Sequence, residues 1–130
     1  MALCVCGSKK EYSVCCEPFL TGSAKAKTLR QLVRSRYAAY AIGDHVEYLL
    51  QTWHPSTASD IKRAELNTSK FKWDSLEIVG HQQKGDLGRV EFIARYKNGE
   101  GEDYVHHEIS LFQRLKGVWY YLSGQVVNQD

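Results

Sequence analysis

Residues 88–127, GRVEFIARYKNGEGEDYVHHEISLFQRLKGVWYYLSGQVV, decide the fold. Val90, Phe92, Ala94 and Tyr96 alternate with Arg89, Glu91, Ile93 and Arg95, the two-residue period of a strand that turns one face inward. The runs GRVEFIARYKN, EDYVHHEISLFQRL and GVWYYLSGQVV are divided by NGEGE and KG, whose glycines suit hairpin turns. Upstream, KWDSLEIVGHQQ (72–83) followed by KGDLG adds a fourth run and a third turn. Four consecutive strands joined by short turns predict an antiparallel meander.

Before residue 71 the period changes to that of helices. In TLRQLVRSRYAAYAIGD (28–44), Leu29, Leu32, Val33, Tyr37 and Tyr40 fall on one stripe, with Thr28 placed to cap the start and Gly43 to end the helix. DHVEYLLQTWHP (44–55) sets Val46, Leu49, Leu50 and Trp53 on one side. Asp44 and Glu47 open it in the manner of a capping box, and Pro55 is expected to stop it. A weaker third helix is expected over Thr57–Leu66. Helices first and a meander afterwards predict an α+β protein, with N-terminal helices packed on one face of a curved antiparallel sheet of about four strands.

The chain has 130 residues, 43% hydrophobic and 25% charged, which describes one folded domain with a small appendage. No apolar run approaches the roughly 20 residues that span a bilayer. MALCVCGSKK lacks a secretion-signal pattern, so no membrane association and a cytoplasmic location are expected. The net charge is +2, unevenly distributed: residues 1–36 hold seven basic groups against Glu11 and Glu17, and the remainder is net acidic. A solvated basic face explains this, and so does an acidic partner for the N-terminal end.

All four cysteines lie in CVCGSKKEYSVCC (4–16). A reducing compartment disfavours disulfides, so Cys4, Cys6, Cys15 and Cys16 read as ligands of one structural Zn²⁺, four thiolates leaving no open coordination position. Gly7-Ser8 suits a tight turn, and Lys9 and Lys10 are placed to offset the charge of such a site. Disulfides are the rival reading. CVC and CC do not have the spacing of a redox dithiol. Cys16 as a spectator, with another residue such as a histidine completing the shell, stays open.

CVCGSKKEYSVCC resembles the SEC-C motif, the zinc knuckle named after the tail of the SecA translocation ATPase, through Cys4, Cys6, Gly7, Ser8, Lys9, Lys10, Tyr12, Cys15 and Cys16. In SecA that knuckle docks on protein partners, including the ribosome. The helices-then-meander order resembles the cone fold of nuclear transport factor two-like domains. With RSRYAAY (34–40), TWHP (52–55), HHEISLF (106–112) and GVWYYLSG (117–124), the whole chain is similar to the YchJ family, in which a knuckle precedes a cone domain. The resemblance implies a fold and a zinc site and no particular reaction. It divides the chain into a knuckle at 1–20, a linker at 21–27 and a cone at 28–130, and homodimers are common in that fold.

Cone domains are hollow between helices and sheet. On the third strand His106, Glu108, Ser110 and Phe112 share one face and Val105, His107, Ile109 and Leu111 the other. An inward Glu108 requires a partner, for which Arg34 and His54 are the expected groups. Tyr37, Trp53, Ser110, Trp119 and Tyr121 are the candidate pocket residues, although aromatic residues at core spacing also read as plain core. His106 and His107, adjacent on a strand, point to opposite faces and make a poor metal pair.

Three functions follow. The first is a zinc-knuckle adaptor that meets a protein or ribosomal partner through Lys9, Lys10 and Tyr12, with the cone as scaffold. The second is a cone-domain binder of a small ligand, or an acid-base enzyme, using Glu108, His54 and Arg34. The third and weakest is a nucleic-acid binder, which the modest charge does not favour.

Overall fold

The computed structural model describes residues 3–43, 45–58 and 72–127. Helices α1 (Glu17–Leu20), α2 (Leu29–Ile42), α3 (Val46–Gln51) and α4 (Pro55–Ala58) precede strands β1 (Lys72–Lys84), β2 (Leu87–Lys97), β3 (Asp103–Leu115) and β4 (Val118–Val126). The strands form one sheet in the order β1-β2-β3-β4, each pair antiparallel. The predicted α+β class and the four-stranded meander are both present. No described helix is long and apolar enough to cross a membrane.

Helix α2 begins where its cap predicts. Thr28 Oγ1 accepts from the Gln31 amide at 3.1 Å, and Gln31 Oε1 accepts from the Thr28 amide at 3.3 Å, a reciprocal capping box. At its other end Gly43 takes φ 85°, a left-handed conformation that glycine adopts without a Cβ penalty. The second helix departs from expectation. It ends at Gln51 rather than at Pro55, and Pro55 instead opens α4, where a missing N–H costs nothing. The chain between them is held by strand-like bonding: the His54 amide donates to Tyr121 O at 2.7 Å and the Tyr121 amide to Thr52 O at 2.8 Å. The proposed Asp44 cap, and the predicted third helix beyond Ala58, lie outside the described residues.

Register fixes which side chains meet. Phe92 stands opposite Glu108, Ala94 opposite His106 and Val90 opposite Ser110, so these six share the face that looks toward α2. Irregularities in β1 near Asp74 and Val79, and in β4 at Leu122, opposite Leu111 and Phe112, curve the sheet. The main core lies at one end, where Leu29, Leu32 and Val33 of α2 pack on Val90, Phe112 and Trp119. Gly88 permits that approach, since a Cβ there would sit 2.7 Å from a Leu29 methyl and 3.2 Å from the Trp119 ring. Trp119, expected as a pocket residue, is core: it is 1% exposed, and Arg114 covers its ring at 5.0 Å.

Candidate functional site: a cysteine knuckle seated on a cone cavity

The knuckle is built by short local contacts. The Cys4 amide donates to Lys10 O at 2.7 Å and the Gly7 amide to Cys4 O at 3.3 Å, closing the turn in which Gly7 has φ 82°. A 3-10 turn at Tyr12–Val14 then returns the chain to Cys15 and Cys16. All four Sγ atoms lie within 4.8 Å of one another, with Cys6–Cys15 at 3.6 Å and Cys15–Cys16 at 4.0 Å. A tetrahedral ion bound at about 2.3 Å from each thiolate sets its sulfurs ~3.8 Å apart, so the donor set and its spacing fit a metal ion. Cys16 stands with the other three sulfurs, and the four cysteines are free thiols.

The electrostatics single out Cys6 as the cysteine most readily ionised, while burial raises Cys4. Hydrogen bonding from Cys16 pulls the Cys6 thiol down against the opposing effect of burial, while the same bond and burial push Cys16 up. Ser8 Oγ lies 3.1 Å from Cys15 Sγ. Arg34 Nη1 donates to Cys6 O at 2.8 Å and stands 3.8 Å from Cys6 Sγ. Lys9 and Lys10, expected to balance the site, are exposed, and Tyr12 is half-buried against the cysteines.

Cys4, Cys6 and Cys16 are buried in one cluster with Tyr37 and Ala38 of α2 and Ala94 of β2. The other side of Tyr37 faces a cavity of about 400 Å³ between α2 and the sheet. Its walls are mostly aromatic, among them Tyr40, Trp53, Trp73, Tyr96 and Tyr121, and its polar groups are Arg36, His106, Glu108 and Ser110. Of the expected pocket residues, Tyr37, Trp53, Ser110 and Tyr121 line it and Trp119 does not.

Glu108 is paired, but not with either expected partner. Its Oε1 bonds His106 Nε2 at 2.8 Å, and its Oε2 accepts from Ser110 Oγ and from Tyr121 OH at 3.1 Å. Burial alone would raise the carboxyl; the bonds from His106, Ser110 and Tyr121 outweigh it and hold Glu108 below the ordinary carboxylate range. Gly124, opposite Ser110, makes the space, because a Cβ there would meet Glu108 Oε2 at 2.2 Å.

Arg34 and His54 are both corrections. Arg34 reaches the knuckle, as described above. His54 Nε2 bonds Gln113 Oε1 at 2.6 Å and its Nδ1 accepts from the Ser56 amide at 3.0 Å, which holds it outside the cavity. The cavity's cation is Arg36, 7% exposed, donating from Nη1 to Leu49 O at 2.9 Å and to Thr52 Oγ1 at 2.7 Å. Its guanidinium lies 4.9 Å from the Trp53 ring centroid and 4.6 Å from that of Tyr121. The sequence carried the signal for this choice: Arg36 sits three residues after Val33 and four before Tyr40, on the inward stripe of α2, and Arg34 sits off it. His106 and His107 do diverge, His106 to Glu108 and His107 to Glu91 at 2.7 Å.

Comparison with known proteins follows the same division. Residues 28–124 match the family model described as "YchJ, middle NTF2-like domain". The chain belongs to the YchJ family. Residues 2–18 of this YchJ-family chain match the SEC-C motif. The solution structure of a SEC-C motif containing protein from Rhodopseudomonas palustris is similar over 98% of this chain and 100% of that one, at 37% identity and TM-score 0.90. The crystal structure of a SEC-C motif containing protein from Psychrobacter arcticus is similar over 100% of this chain and 85% of that one, at 25% identity and TM-score 0.83. The YchJ-type cone and its knuckle thus occur together in proteins of closely similar shape.

Proposed function

We propose that this protein is a small-molecule-binding cone whose wall is stapled by one structural Zn²⁺ at Cys4, Cys6, Cys15 and Cys16. The observation that carries the reading is the cavity of about 400 Å³, within the range of ligand sites, in which a buried guanidinium and a hydrogen-bonded carboxylate stand among aromatic walls. Four mutually close thiols, three of them buried, support the metal, and soft sulfur ligands in a tetrahedral set favour zinc. Zinc there is structural, since four protein ligands fill its coordination shell. Ligand-observed NMR against a library of aromatic fragments tests the cone: hits competing for one site and weakened by Trp53→Ala are expected, and absence of binding across the library overturns the reading.

A second reading, docking of the knuckle on an acidic protein or ribosomal surface, is favoured by one observation. Lys9 and Lys10 are exposed together with Leu3, Val5 and Val14 of the same short segment. Its test is co-purification that weakens with salt and is lost in the Lys9→Glu/Lys10→Glu variant; an unchanged partner set rejects it.

A further inference from the structure

Two side chains of the cavity keep binding capacity beyond the contacts by which they hold the fold. Arg36 is buried, yet among the described residues no carboxylate forms an ion pair with it. Its charge rests on the neutral oxygens of Leu49, Thr52 and Tyr40 and on two ring faces, and Glu108 acts on it only at longer range, its oxygens already holding three donors. Burying a cation without a counter-ion is costly, and an anion beside it recovers that cost.

The second is His106. With an ionised Glu108 accepting at Nε2, the neutral imidazole carries its proton on Nε2, and Nδ1 keeps the lone pair. Among the described residues Nδ1 has no hydrogen-bond partner, and His106 is a cavity-lining residue with a third of its side chain exposed. The carboxylate behind the ring fixes its orientation and tautomer, so that Nδ1 is the nitrogen left to accept.

We propose that the cavity takes a planar hydroxylic acid, a phenol or enol, whose O–H proton passes to His106 Nδ1 while the resulting oxyanion lies beside Arg36. The inference rests on the cone being a ligand site. The transfer is balanced: the ligand O–H bond breaks, an N–H bond forms at Nδ1, and the Nε2–H bond to Glu108 is kept. The ring of such a ligand matches the walls of Trp53, Trp73 and Tyr96. The other titratable groups on these walls are phenols: Tyr37 and Tyr40 from α2, Tyr96 from β2 and Tyr121 from β4. Burial raises Tyr37, Tyr40 and Tyr121, which keeps them protonated as neutral donors near neutral pH.

The test uses 4-nitrophenol, whose phenolate absorbs at longer wavelength than the phenol, and 4-nitroanisole, which has the same ring without the acidic proton. Titrated into the full-length zinc-loaded protein below the ionisation point of free 4-nitrophenol, the bound phenol is expected to show the phenolate band. Its apparent ionisation should shift down by about one unit, a tenfold change. His106→Gln is expected to abolish the band and leave 4-nitroanisole affinity within about twofold; Arg36→Lys is expected to diminish the band. Binding of both compounds to the wild type with no phenolate band overturns the proton transfer and leaves the cone as a ligand site. A wild-type band that persists in His106→Gln overturns the assignment of the base. Failure of both compounds to bind overturns this proposal for the phenol class, and the fragment screen then decides whether the cone binds anything.

Discussion

Arg34 donates to the carbonyl of Cys6 at 2.8 Å, and through that bond the helix that walls the cavity grips the knuckle. Tyr37, one turn further along the helix, packs on the cysteines and also lines the cavity. Metal site and cavity therefore share a wall, and disturbance of one is transmitted through side chains in direct contact with the other.

Metal removal is thus expected to reach the cone. Metal analysis of protein purified under reducing conditions should give one zinc per chain. Chelation should lower the thermal midpoint and alter the near-ultraviolet circular dichroism of Tyr37 and Trp73, which meet edge to face at 6.0 Å. A chelated protein with unchanged aromatic signals would show that knuckle and cone are independent.

Arg34→Ala should cost about 1–3 kcal/mol, because a charge-assisted bond to a part-buried carbonyl is lost and that acceptor is left without its partner. Urea denaturation measures the cost. Arg34→Lys should recover less than half of it, since the ammonium lacks the planar fork.

Thr28→Ala should destabilise the protein by about 1 kcal/mol through the capping box alone, with an unchanged denaturant slope. Its effect should add to that of Arg34→Ala, because the two residues share no described hydrogen-bond partner.

Gly124→Ala should cost about 2–3 kcal/mol. The new Cβ would displace the Glu108 carboxylate from Ser110 and Tyr121, leaving buried polar groups without their bonds. In a Ser110→Ala background the added cost should shrink, since part of the network is already gone.

Glu108 also sets a pH dependence. Its pKa in the folded protein is depressed, so its stabilising contribution is fully present above the unfolded value of about 4.3. That contribution is lost as pH falls through the lower folded value. The stability gap between the wild type and Glu108→Gln should be constant near neutral pH and close below about pH 4; a gap that stays constant into acid would show that the carboxylate is not the group responsible.

The sequence by itself determined whatever depends on local period and spacing. Alternation in residues 88–97 fixed which side of β2 faces inward. Thr28 and Gly43 bounded α2, and cysteine spacing placed four thiols in one short loop. Those features depend on bonds and side-chain periods within a few residues, so they are visible along the chain. The end of α3 was not, because Thr52 and His54 are held by Tyr121, 69 and 67 residues away in the chain. Only the tertiary structure decided which partner Glu108 takes and which arginine enters the cavity. His106 was legible as a same-face neighbour two residues away, but choosing it over His54 required β4 to bring Tyr121 and Gly124 up to the carboxylate. Arg34 and Arg36 are two residues apart on one helix, about 200° around its axis, so they serve opposite neighbours: one the knuckle, the other the cone. Their assignment depends on where the sheet and the knuckle lie around α2, and long-range packing alone sets that.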